Sequence, residues 1–269
     1  MNNLIKNEVY KIFRQKKLYV FAGVMLLSMI FDYILFLLTK NITFTNANNS
    51  NSFQNMNGQL FPIHTLNGVN TVIVIFIIIL LADIITDEYK NGTLKLSLLG
   101  PITRAQLLIS KVIGLYISIF ALHIFTMIIS YIFGTIFWGW GDTLILNGFN
   151  TSCSLTPLNG IFYTIGSYLF STIPFLVFGI IVILIALLYS NIGATIGTCL
   201  GIYFALGLVG QLIEKSKPYL INTYFTFYTE FATASNIKHI ISGILCIFIY
   251  GIVFFSSSLL IFKRKDILL

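Results

Sequence analysis

Charged residues are scarce in this chain, at 9% of 269 positions, against about 25% in soluble globular domains. So few charges cannot cover a body of this length in water. A soluble enzyme is therefore excluded, and lipid must solvate much of the surface. Cysteine is nearly absent as well. Cys153, Cys199 and Cys246 lie far apart with no C-x-x-C spacing, which argues against a disulfide framework or a cysteine metal site. Two of them sit in apolar runs, where a thiol is usually a small packing group. The three histidines, His64, His123 and His239, belong to separate segments, so no metal centre is expected. The sequence has no H-E-x-x-H or G-x-S-x-G motif, and no catalytic residue is assigned. It also has no G-x-x-x-x-G-K-[ST] phosphate loop, so no ATP site is expected in this chain. There is no Pro- or Gly-rich linker and no convincing internal repeat. One membrane domain is expected over residues 1–269, and not an inverted-repeat transporter.

What the chain has in quantity is apolar and aromatic side chains: 57% of residues are hydrophobic, with 25 Phe and 14 Tyr. About 30 Å of hydrocarbon at 1.5 Å per residue needs about 20 apolar residues per crossing. Six stretches qualify, at about 18–38, 69–85, 107–138, 161–188, 192–213 and 237–262. The first lacks a small-x-small cleavage site and is read as a retained anchor. The expected fold is an all-α polytopic membrane protein with six transmembrane helices.

The net charge of +7 is distributed unevenly. Lys6, Lys11, Arg14, Lys16 and Lys17 precede the first span. Lys90, Lys95 and Arg104 separate the second from the third, with Lys111 just inside it. Lys263, Arg264 and Lys265 follow the sixth. The alternate connections hold fewer cations, so the positive-inside rule places both termini in the cytoplasm. An excess of this kind marks loops on one side of a bilayer rather than a nucleic-acid site. Within residues 2–17, Ile5, Val9, Ile12 and Phe13 recur at helical spacing, which predicts an interfacial helix with its cations near anionic headgroups. The plain alternative is a basic flank with incidental periodicity. The Asn/Ser-rich stretch from about Asn41 to Asn67 reads as a mobile outer loop. A second outer loop covers about Gly139 to Gly160. The aromatic-rich stretch from Glu214 to Asn236 reads as an interfacial segment that dips inward as short helices.

Residues Asp83 to Lys111, DIITDEYKNGTLKLSLLGPITRAQLLISK, carry the densest information. Charges at Asp87, Glu88 and Lys90 interrupt the apolar pattern, and turns are signalled at Asn91-Gly92 and Gly100-Pro101. Thr93 to Leu99 between them are expected to form a short helix, either a handle for a soluble partner or a simple solvated connection. In span five, Gly193, Gly197 and Gly201 share one helix face. They mark close backbone approach, either to another subunit or within this one. Pro174 predicts a kink in span four. Asp32 and His123 fall at about 21 and 25 Å from the inner ends of their spans. That makes them a candidate intramembrane polar pair, unless Asp32 reaches water alone. His64 and His239, near loop ends, are expected to be solvated.

The pattern Glu88, Gly92-Thr93-Leu94, Pro101, Arg104 and Lys111 resembles the first cytoplasmic loop of ABC-2 type permeases, the membrane subunits of ATP-binding cassette exporters. The basic start, Lys6-Asn7-Glu8 followed by Lys11 and Arg14 to Lys17, resembles that family too, as do the length and the six spans. The motif covers about 30 residues, and the layout the whole chain. The long outer loop before span four departs from the family pattern, where it is often shorter. The resemblance implies a permease pairing with a second, identical or different, permease subunit in the lipid bilayer. Two ATPase subunits would dock below, with ATP and Mg bound on them. It implies that Glu88, Gly92, Thr93 and Arg104 belong to the coupling region, Glu88 and Arg104 by charge pairing with the ATPase. It also favours the subunit reading of the glycine face, and an amphipathic cargo such as a drug, antimicrobial peptide or lipid. The rival readings are a membrane enzyme, which would need polar groups clustered at one depth, and a sensory or scaffold protein that recruits a cytoplasmic partner.

Overall fold

The computed structural model describes residues 2–39, 56–92, 102–141, 143–147, 152–229 and 237–264. The elements begin with α1 (Asn2–Arg14) and α2 (Lys16–Thr39), then α3 (Phe61–Gly68) and α4 (Asn70–Leu81). Helix α4 runs on through a π-helical turn, Ala82–Asp87, and one further turn, Glu88–Lys90. Then come α5 (Arg104–Trp138), the strands β1 (Leu144–Asn147) and β2 (Ser152–Leu155), α6 (Pro157–Leu188) and α7 (Ile192–Leu212). Two 3-10 turns, Glu214–Tyr219 and Ile221–Thr226, lead to α8 (Ile237–Arg264). The protein is an all-α multi-pass membrane protein. Six helices are long and apolar enough to cross a bilayer: α2, α4 with its extension, α5, α6, α7 and α8. The two strands form a small antiparallel hairpin pairing Leu144 with Leu155 and Asn147 with Ser152.

Local sequence explains the element ends. Thr103 and Gln106 form a capping box at the start of α5, each side chain accepting from the other's backbone N–H, which satisfies donors the helix leaves open. Helix α5 stops at Gly139, whose φ of 76° suits glycine. Its 35 residues reach about 52 Å, longer than the hydrocarbon, so its far end stands in the opposite interface.

Helices α4 and α6 form the centre, with 67% and 72% of their apolar windows buried, against 11% for α2, α7 and α8. The main core joins Ile73, Ile77 and Leu81 of α4, Leu115 and Ile119 of α5, and Phe175, Phe178 and Val182 of α6. In lipid the hydrophobic effect does not pull helices together, so close packing and hydrogen bonds must. Helix α5 supplies the close packing through a buried stripe of four-residue period: Ser110, Gly114, Ser118, Leu122, Thr126, Ser130 and Gly134. Its hydroxyls donate back into the helix, as Ser110 does to the Leu107 carbonyl at 2.8 Å and Ser118 to Leu115 at 2.7 Å, so neighbours meet no unsatisfied donor.

Two loop expectations need correction or refinement. The stretch read as a mobile loop up to Asn67 contains α3, with Phe61, Pro62, Ile63, Thr65 and Leu66 all buried. Pro62 suits a first helical turn, and the apolar side chains after it were outweighed by the polar run before them. The described part of the Glu214–Asn236 segment, residues 214–229, does turn inward, burying Ile221, Tyr224 and Phe225; residues 230–236 lie outside the described residues.

Candidate functional site

The chemistry concentrates at one end of the bundle, where α1, the start of α2, the end of α4, the start of α5 and the end of α8 converge. Helix α1 is amphipathic, but its inward stripe meets protein: Ile12 is fully buried in the main core, and Glu8 is 3% exposed. Gly114 of α5 makes the approach possible. A Cβ there would come within 3.1 Å of the Ile12 side chain and 3.6 Å of the Glu8 Cβ.

Four ionised groups close a ring at this contact. Lys111, 2% exposed, donates to Glu8 Oε2 at 3.3 Å, Glu88 Oε2 at 2.7 Å and the Ile84 carbonyl at 3.1 Å. An ammonium has three donors, and all three are used. Lys11 donates to the other oxygens, Glu8 Oε1 at 3.3 Å and Glu88 Oε1 at 3.2 Å. Each carboxylate therefore bridges both ammoniums, and two positive charges balance two negative ones. Burying an ion costs several kcal/mol unless its partners are close and its hydrogen bonds complete. Both conditions hold for Lys111. Around Lys11 burial works against the charge, but the Glu8 and Glu88 carboxylates outweigh it and hold the ammonium above the usual lysine pKa. The π turn carries Ile84, and such wide turns recur at functional positions.

Further contacts tie in the remaining elements. Lys17 of α2 pairs with Asp83. Thr86, fully buried, donates to the Ala186 carbonyl at 3.3 Å and lies 3.2 Å from the Thr195 hydroxyl, linking α4 to α6 and α7. Arg104 donates to the Phe262 and Lys263 carbonyls at 2.9 and 2.8 Å, where a cation suits the end of α8. Lys6, Lys16 and Arg264 are exposed on this end, with no acidic partner among the described residues.

Several sequence-derived site residues are placed differently from expectation. Glu88 and Arg104, expected to pair with a partner protein, hold contacts inside the chain, because Lys11, Lys111 and the α8 terminus lie within reach. Gly92 has a φ of 71° and makes the expected turn after Asn91. Thr93, the helix expected from Thr93 to Leu99 and the Gly100-Pro101 turn lie outside the described residues. The pairing of Asp32 with His123 is not formed. Asp32 Oδ2 lies 3.7 Å from His64 Nδ1, and His64 is half-buried, with 28% of its side chain exposed. His123 is 1% exposed, with Nδ1 3.0 Å from the Ile119 carbonyl and its ring against Tyr168 and Phe175. Depth along a span does not fix which way a side chain faces, and α3, not expected as a helix, takes the place beside Asp32. Gly193, Gly197 and Gly201 are exposed, and a Cβ on Gly197 or Gly201 would meet nothing within 4 Å. The glycine face is thus not used for packing within the chain. Among the described residues no group of three metal-ligating side chains occurs.

The sequence marks Glu8, Lys11 and Lys111 separately and does not join them into one site. A signal existed: Glu8 is the first acid in the chain and precedes Asp32, the next, by 24 positions, and Lys111 interrupts an apolar run. The sequence model of a family described as protein of unknown function, DUF2705, matches residues 25–268. The chain belongs to this family. The match includes Glu88 and Lys111, and α1 with Glu8 and Lys11 precedes it. No curated protein matches the chain.

Proposed function

We propose that this DUF2705 protein is the membrane-spanning permease subunit of an ATP-driven ABC exporter in a bacterial cell membrane, with both termini cytoplasmic. The observation that carries the reading is the ionic ring. It fixes α1 to the end of span two and the start of span three. A partner pressing on this end of the bundle would move α1, α4 and α5 together. The reading assigns ATP hydrolysis to a separate subunit, in line with the missing phosphate loop, and gives the cargo an amphipathic character such as a drug, antimicrobial peptide or lipid. The exposed face of Gly193, Gly197 and Gly201 is assigned to a second permease subunit, because small residues in lipid allow close backbone approach.

The test is co-purification from the native membrane. An ATPase carrying its own phosphate loop is expected to elute with the tagged chain. Lys111→Met, inserted and monodisperse, is expected to lower transport-linked ATP hydrolysis about tenfold or more. Recovery of no ATPase from native membranes, or of a different class of protein in its place, rejects the export reading.

A further inference from the structure

A cavity of about 190 Å³ lies between α6, α8 and the segment after the second 3-10 turn. Its floor is Ser171, Tyr224, Tyr228 and Ile247, each at most 6% exposed, with Pro174 buried in α6. The hydroxyls in this wall are committed elsewhere. Ser171 donates to the Tyr168 carbonyl at 2.9 Å, Tyr228 to Asn67 Oδ1 at 2.7 Å, and Tyr224 to the Pro218 carbonyl. The wall therefore offers carbon to an occupant, and an apolar cavity even of about 150 Å³ stays dry and takes an apolar guest.

The rim shows where that guest comes from. Phe170, Ile173, Ile244 and Phe248 are 50%, 43%, 38% and 64% exposed. They belong to helices that cross the bilayer, so the mouth is continuous with the lipid-facing surface. Ile244 to Phe248 lie about 11–17 Å along α8 from its first residue, which sets the opening at hydrocarbon depth rather than in water. Gly243 lets the aromatic roof close over it: a Cβ there would fall 2.4 Å from the Phe227 ring.

We infer that this cavity holds one acyl chain of a bilayer lipid, inserted sideways between α6 and α8. The inference rests on the membrane-spanning fold alone and not on the export reading. The test uses the full chain in nanodiscs containing phosphatidylcholine with a mid-chain diazirine, irradiated and mapped by peptide mass spectrometry. Adducts are expected about tenfold denser on Ile173 of α6 and Ile244 and Phe248 of α8 than on Ile252 and Val253, which are exposed on α8 outside the cavity. Filling the cavity with Ile247→Trp is expected to remove that enrichment, and Ile252→Trp to keep it. Equal adduct density on the two sets in the unaltered chain overturns the inference without recourse to any variant. So does enrichment that survives in a monodisperse Ile247→Trp protein.

Discussion

The two ends of the bundle meet the same problem with different chemistry. At both ends, backbone carbonyls at helix termini, in turns and in a widened helix take hydrogen bonds from side chains. At the basic end the donors are ions: Lys111 takes the Ile84 carbonyl, and Arg104 takes those of Phe262 and Lys263. At the opposite end they are neutral. Tyr168 donates to the Pro62 carbonyl at 2.9 Å, Gln59 to Gly141 at 2.8 Å, Asn57 to Thr143 at 2.8 Å and Tyr163 to Tyr228 at 3.0 Å. Aromatic rings fill the space there, with Tyr33, Phe137 and Trp138 in mutual contact. The neutral donors each close one gap, so their losses stay local. The ionic ring shares each carboxylate between two lysines, so removing one member unbalances charges that include the buried Glu8 and Lys111.

The sharpest break of that comparison is Lys111→Met. It leaves Glu8 buried against Lys11 alone and takes one donor from the Ile84 carbonyl. A loss of about 3–5 kcal/mol is expected, the cost of leaving a buried charge unpaired, read from denaturant titration in detergent micelles. Adding Glu8→Gln should recover part of it, since the unmatched charge is then gone. A loss below about 1 kcal/mol would mean the ring behaves as an ordinary exposed pair. At the other end, Tyr168→Phe deletes one donor to the Pro62 carbonyl, while Thr65 keeps its own hydrogen bond to that carbonyl at 2.9 Å. The expected loss is about 1–2 kcal/mol in the same titration. A value matching Lys111→Met would erase the distinction between the ends.

The spans were legible in the sequence, because apolar length at 1.5 Å per residue is a property of each segment alone. The basic end was half legible: Lys11, Glu88 and Lys111 stand out in a chain this poor in charge, and their pairing required knowing that α1 turns inward at Gly114. The opposite end was scarcely legible. Its donors are Asn, Gln and Tyr, which look alike in loops and in buried networks, and α3 hides behind an Asn-rich run. The Asp32–His123 expectation failed for the same reason. Spacing gave both residues a depth, but the direction of a side chain around its helix depends on neighbours from distant segments.

The smallest expected effect belongs to Lys11, the more exposed of the two ring lysines, with 45% of its side chain open against 3% for Lys111. Its pKa in the folded chain lies above the ordinary lysine value of 10.5 although burial opposes the charge, because Glu8 and Glu88 favour it more strongly. A raised pKa means the folded state holds the proton more tightly than the unfolded one. The stabilisation from Lys11 is therefore complete below pH 10.5 and fades as pH rises through the higher folded value. Unfolding in micelles should show an alkaline decline that is shallower in Lys11→Met, while neutral-pH stability falls only slightly, since half-exposed pairs are screened by water. An identical alkaline slope in the two proteins would place Lys11 outside the ring's energetics and leave Lys111 as the one cation holding α1 in place.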